Sequence, residues 1–145
     1  MNRLKTIAMA GLLSLAGMAS FAAPAAAETP TKVRFAAILS AGVENAWDRS
    51  WVKSFERVKA AKPHGLEMTL QTTEGVWGDE AEAVMRTYAE TGDYDIIFAN
   101  SSYTDQVENL RGEFPDIMWV VSGSGNRGLG GNAYWVFMHA HEPAT

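Results

Sequence analysis

The chain has 145 residues, a formal net charge of −5 and no cysteine. An acidic chain repels phosphate backbones and anionic lipid, so nucleic acid and membrane surfaces are poor partners. The lack of cysteine excludes disulfides, thiol catalysis and cysteine-held metals, and says nothing about the redox state of the compartment.

The first 27 residues read as a secretory signal. Arg3 and Lys5 give a basic start, Ile7 to Phe21 is a run of apolar and small residues, and Ala25-Ala26-Ala27 offers the small-x-small pattern of a cleavage site. The alternative, a membrane anchor, needs a longer and more apolar run. Cleavage before Glu28 removes Arg3 and Lys5 and no acid, so the formal charge goes from −5 to −7. A lipoprotein signal would need a cysteine at the cut. The expected product is therefore periplasmic and free in solution. Residues 28–145 suffice for one domain with one core, but not for two lobes of ordinary size.

Glu28 to Lys32 is a polar tail. Val33 to Leu39 is an apolar, β-capable run without clean alternation, which suits a strand buried on both faces. Ser40 to Glu44 is a turn. Asn45 to Ala61 reads as a helix, with Trp47, Trp51, Phe55 and Val58 at helical spacing. Asn45 is its expected N-cap, with Asp48 in a capping-box-like place. Leu66 to Gln71 follows as a strand. Asp79 with Glu82 predicts a capping box opening the next helix, whose apolar face is Ala81, Val84, Met85, Tyr88 and Ala89. Gly92 sits at its C′ position. Tyr94 to Ala99 is a third strand, Tyr103 to Phe114 a third helix stopped by Pro115, and Ile117 to Val121 a fourth strand. A glycine-rich loop, Ser122 to Gly131, leads to a fifth strand over Asn132 to Met138.

Strands alternating with helices predict an α/β fold: a mostly parallel sheet in three layers, with helices on both faces. Ligands of such sheets bind outside the carboxyl ends of the strands. Those ends are Ser40 to Trp47, Asn100 to Tyr103 and Ser122 to Arg127, which carry hydrogen-bonding groups, an aromatic ring and open backbone.

Gly123, Gly125 and Gly128 match a dinucleotide-binding pattern, but it follows the fourth strand and nothing helical comes after it. No nucleotide cofactor is expected. His139 and His141 share a strand face beside Glu142 without an evident third ligand, so no metal is expected. Neither a G-x-S-x-G elbow nor a P-loop is present, and nothing places a nucleophile beside a base, so the chain is not read as an enzyme. Two readings stand for Glu44-Asn45-Ala46-Trp47-Asp48. In one it caps and heads the helix. In the other, Trp47 stacks on a planar ligand while Asn45 or Asp48 bonds its polar edge.

These residues resemble the basic membrane protein family of substrate-binding proteins for ABC transporters, the Bmp/Med/PnrA-like group, from about Val33 to the end. Three places carry the likeness: Glu44 to Asp48; Tyr94-Asp95-Ile96-Ile97-Phe98-Ala99-Asn100-Ser101-Ser102; and Phe114-Pro115-Asp116-Ile117, followed later by Asn132 and His141-Glu142-Pro143-Ala144. Asp48 departs from the asparagine common in the family. The resemblance implies a type I periplasmic-binding lobe, Rossmann- or flavodoxin-like, and a small polar ligand such as a purine nucleoside. It implies stacking on Trp47 and polar contacts from Asn45, Asp48 and Ser102, with Ser101 and Asn126 completing the site. It also implies delivery to an inner-membrane ABC permease. Family members are about twice as long as residues 28–145, so the expected chain is an N-terminal lobe whose C-terminal lobe is missing. The alternatives are a truncated, non-functional fragment and a ligand-sensing lobe for a membrane receptor.

Overall fold

The computed structural model describes residues 31–136. The expected signal segment and cleavage site, His139, His141 and the last landmark of the family resemblance lie outside the described residues. Among those described, no helix is long and apolar enough to cross a membrane.

Strand β1 (Lys32–Leu39) is the centre of the molecule. Its Ala36, Ala37, Ile38 and Leu39 are all fully buried, as a strand covered on both faces requires. Strand β2 (Glu67–Glu74) pairs with it on one side and β3 (Ile96–Asn100) on the other; β4 (Met118–Ser122) and β5 (Ala133–Val136) continue outward. All four pairings are parallel, in the order β2-β1-β3-β4-β5. The parallel α/β sheet expected from the sequence is therefore present. Its order is the flavodoxin-like one, in which the chain reverses direction of winding between β1 and β3.

Helix α1 (Ala46–Ala61) covers one face. Phe55 meets Phe35 edge-on at 5.0 Å, and Trp51 lies 4.7 Å from Phe98. Helices α2 (Gly78–Thr91) and α3 (Thr104–Arg111) cover the other. Their Ala81, Met85, Ala89, Val107 and Leu110 join Ala36, Ile38, Ile97, Ala99, Trp119 and Val121 in the main core. Alternate residues of each strand thus face opposite layers.

Several boundaries move. Strand β2 runs on to Glu74, because Thr72, Thr73 and Glu74 pair with Ala37, Ile38 and Leu39. Strands β3 and β4 each extend one residue further than expected, to Asn100 and Ser122. Helix α3 is shorter at both ends. Gly92 closes α2 in the left-handed conformation, φ 67°, as expected. The capping box predicted from Asp79 and Glu82 is not formed: the N-cap is Trp77, and no side chain caps the helix. Asp79 lies in the first turn, where the helix dipole accounts for it. No helix connects β4 to β5. Asn132 anchors the joining loop by donating its amide to the carbonyls of Arg111, Phe114 and Ile117 at 3.0–3.1 Å.

Candidate ligand-binding site

The carboxyl ends of β1, β3 and β4 open onto a cleft of about 250 Å³, lined by Ser40, Asn45, Trp47, Ser101, Ser102, Gly123 and Ser124. It lies at the β1/β3 reversal, where such sheets take ligands. Gly123 aside, none of the six side chains is ionisable. Four are serine hydroxyls, one is an amide and one is an indole.

Asn45 caps α1: its Oδ1 accepts from the Trp47 backbone N–H at 2.8 Å. Its amide nitrogen has no partner among the described residues. Trp47 is half-buried, and its Nε1 donates to the carbonyl of Asn100 at 3.2 Å. That bond fixes the indole across the end of β3. Gly123 lets the β4 loop come up against the ring. A Cβ there would stand 3.3 Å from Trp47 Cζ2, on a backbone with φ of 100°. Ser102 donates to the carbonyl of Ser124 at 2.6 Å, closing the third wall.

Beneath the cleft runs a buried polar chain. Asp48 is fully buried, and its carboxylate accepts four hydrogen bonds: from Ser40 Oγ (3.3 Å), the backbone N–H of Ala41 (2.8 Å) and Gly42 (3.0 Å), and Asn100 Nδ2 (2.8 Å). The expected capping-box contact is not made; Asn45 N–H donates instead to the carbonyl of Gly42. Because the carboxylate only accepts, Asn100 must turn its nitrogen toward it and its oxygen away. That oxygen takes the hydroxyl proton of Ser122 at 2.6 Å. The ends of β1, β3 and β4 are tied side chain to side chain.

Asn126 is a second strut. Its Nδ2 donates to the carbonyls of Ser101 (3.0 Å) and Ser122 (3.2 Å), and its Oδ1 accepts from Thr104 at 2.6 Å. Tyr103, wholly buried, donates to the carbonyl of Val76 at 2.8 Å. Burial, with the Asp48 charge nearby, pushes its phenol up to about 12.

Of the six residues singled out from the sequence, Asn45, Trp47, Ser101 and Ser102 line the cleft. Asp48 and Asn126 lie below or beside it, and the bonds they make to the protein are the reason. Sequence reasoning missed Ser40, Gly123 and Ser124 as lining groups and Asn100, Ser122 and Thr104 as supports. Their segments were marked as strand ends, but single residues were not separable there. Among the described residues, no cluster of three or more His, Asp or Glu could hold a metal.

No protein-family model and no curated protein matches the chain. Solved structures do. An ABC transporter solute-binding protein from Conexibacter woesei DSM 14684 matches over 63% of this chain and 30% of its own length, with a TM-score of 0.55 and 25% identity. The fold matches one lobe of a solute-binding protein. A second such protein, from Aeropyrum pernix K1, matches over 71% of this chain and 28% of its own, with a TM-score of 0.54 and 16% identity. A transcriptional activator of the comK gene from Bacillus halodurans matches over 71% and 33%, with a TM-score of 0.50 and 13% identity. The last two speak to fold alone. The chain spans about a third or less of each of these three proteins.

Proposed function

We propose that this chain is the ligand-binding N-terminal lobe of an exported solute-binding protein serving an ABC importer. Its ligand is a small, uncharged polar ring compound, a purine nucleoside by the resemblance noted above. The observation that carries the reading is the cleft at the carboxyl ends of β1, β3 and β4: it is walled by serine hydroxyls and one indole, with no ionisable side chain. Hydroxyls and open backbone suit ribose-like hydroxyls, and Trp47 offers a flat face to a base. A cleft without an acid, a base or an activated nucleophile suits binding rather than turnover. The solute-binding neighbours support the same role.

In this reading residues 1–27 direct export and are removed, leaving residues 28–145 in the periplasm. A C-terminal lobe supplies the opposing wall, closes on the ligand by a hinge and docks with an inner-membrane permease. Isothermal titration of the full-length gene product against adenosine, inosine and guanosine tests the assignment. Heat of binding with at least one is expected. Folded protein that gives none removes the nucleoside assignment.

A further inference from the structure

Trp77 is the most exposed tryptophan side chain described, half of its surface being open. It is nevertheless held firmly. Its Nε1 donates to the carbonyl of Ser40 at 2.8 Å, and its ring stacks on buried Tyr103 at 5.1 Å with 29° between planes. The loop that carries it is fastened on both sides: Gly75 N–H donates to the carbonyl of Leu39 at 2.9 Å, and the carbonyl of Val76 accepts from Tyr103. Gly75 and Gly78 bracket it with φ of 73° and 52°, a backbone that makes the sharp exit from β2 into α2. A rigid indole with one face on Tyr103 leaves the other to water. Large aromatic groups fixed in advance and left open are those that gain most on binding, because little side-chain freedom remains to be lost.

Its position says what it meets. Ser40, whose carbonyl holds Trp77, is also a wall of the cleft that holds Trp47. Helices α1 and α2 lie on opposite faces of the sheet, so the two indoles come to the strand ends from opposite sides, Trp47 at the end of β3 and Trp77 at the end of β1. We infer that Trp77 is a second aromatic platform of the ligand site, taking the flat face of a heterocyclic ligand on the far side of Ser40 from Trp47. This rests on the solute-binding reading above and goes beyond it by adding a recognition residue from the β2–α2 loop.

The test uses the full-length gene product labelled with ¹⁵N, its indole resonances assigned by single tryptophan-to-phenylalanine substitutions, titrated with adenosine and separately with ribose. Adenosine is expected to move the indole signals of both Trp47 and Trp77, and ribose to move that of Trp77 far less, because ribose has no ring current. Trp77→Ala should weaken adenosine binding roughly five-fold to a hundred-fold, the usual range for a lost base stack. Trp77→Phe, which keeps a stacking ring, should recover most of it, so the loss cannot be put down to misfolding. Movement of Trp47 alone, with Trp77→Ala within about two-fold of the parent, overturns the inference and leaves the solute-binding reading standing. Equal movement of Trp77 by ribose overturns it too. If no indole responds to adenosine and no heat is seen, the nucleoside reading fails and the role of Trp77 falls with it.

Discussion

Exchanging Asp48 and Asn100 should show whether the buried chain under the cleft is arranged as the geometry requires. In the parent, Asp48 accepts from two backbone amides, Ser40 and Asn100, and Asn100 in turn accepts from Ser122. Asp48→Ala leaves the amides of Ala41 and Gly42 and the Asn100 nitrogen without that acceptor. At about 1–3 kcal/mol for each stranded donor, the loss is at least about 3 kcal/mol, a large part of a typical domain's stability. Asn100→Asp is worse in kind, since it sets two carboxylates at hydrogen-bond distance and forces a proton onto one of them. The double exchange, Asp48→Asn with Asn100→Asp, restores every partner. The amide oxygen introduced at position 48 accepts from Ala41 and Gly42, and its nitrogen donates to the carboxylate introduced at position 100. That carboxylate also accepts from Ser122. Equilibrium unfolding in urea of the parent, Asp48→Asn, Asn100→Asp and the double gives the coupling, with Asp48→Ala measured beside them. The double should be more stable than the sum of the singles predicts by about 2 kcal/mol or more. Additive losses, or an Asp48→Ala variant within about 1 kcal/mol of the parent, would refute the reasoning.

Other outcomes follow from single contacts. Trp47→Ala should weaken nucleoside binding to the gene product about ten-fold or more, read by titration calorimetry. Gly123→Ala should lower both stability and affinity, since its Cβ meets Trp47 at 3.3 Å on a backbone with φ of 100°; the stability loss, measured by thermal melting, should be about 1 kcal/mol or more. Hydrogen bonding from Arg34 holds the Asp95 carboxyl below its ordinary value. A depressed carboxylate stabilises the fold above the unfolded pKa, so this contribution is full above about pH 4 and fades as pH falls through the folded value. Both side chains are partly exposed, so the effect is small. Arg34→Met should narrow the difference in urea midpoint between neutral and acid solution. The Tyr103 phenol, pushed up to about 12, binds its proton more tightly folded than unfolded. Its contribution is full below about pH 10 and is lost as pH rises toward the folded value, and phenolate absorbance should show one tyrosine titrating last. Residues 28–145 alone should bind a nucleoside more weakly than micromolar, because one wall covers too little of a ligand.

Much of the fold was legible because its signals are local. The 3.6-residue recurrence of Trp47, Trp51, Phe55 and Val58, and of Ala81, Met85 and Ala89, names α1 and α2. The solid runs Ala36 to Leu39 and Ile96 to Phe98 name the central strands. The alternation of strand and helix then leaves few topologies, and the carboxyl ends of the strands mark the cleft before any coordinate is known. The start of α2 was less legible than that of α1, where Asn45 caps as expected. Asp79 and Glu82 have the spacing of a capping box, yet the chain enters α2 through the turn at Gly75 and Gly78, and Trp77 takes the cap position.

Asp48 shows why the site itself was only half legible. An acid three residues after an N-cap asparagine looks like a capping partner, and in sequence it cannot be told from one. What decides its role is the distance along the chain to its partners: Ala41 and Gly42 lie before it, and Asn100 is 52 positions away. Its burial is set by strand ends that meet only in the folded sheet. The same holds for Asn126, whose partners Ser101 and Thr104 stand more than 20 positions back. Asn45, Trp47, Ser101 and Ser102 could be read because they sit on turns that the topology alone exposes. The groups that hold those turns in place could not, because a side chain that serves as a support has the same chemistry as one that serves as a ligand contact. A buried carboxylate surrounded by four donors spends its charge on orienting neighbours. The cleft above it is left with neutral dipoles and the Trp47 indole, which is the surface an uncharged ring compound needs.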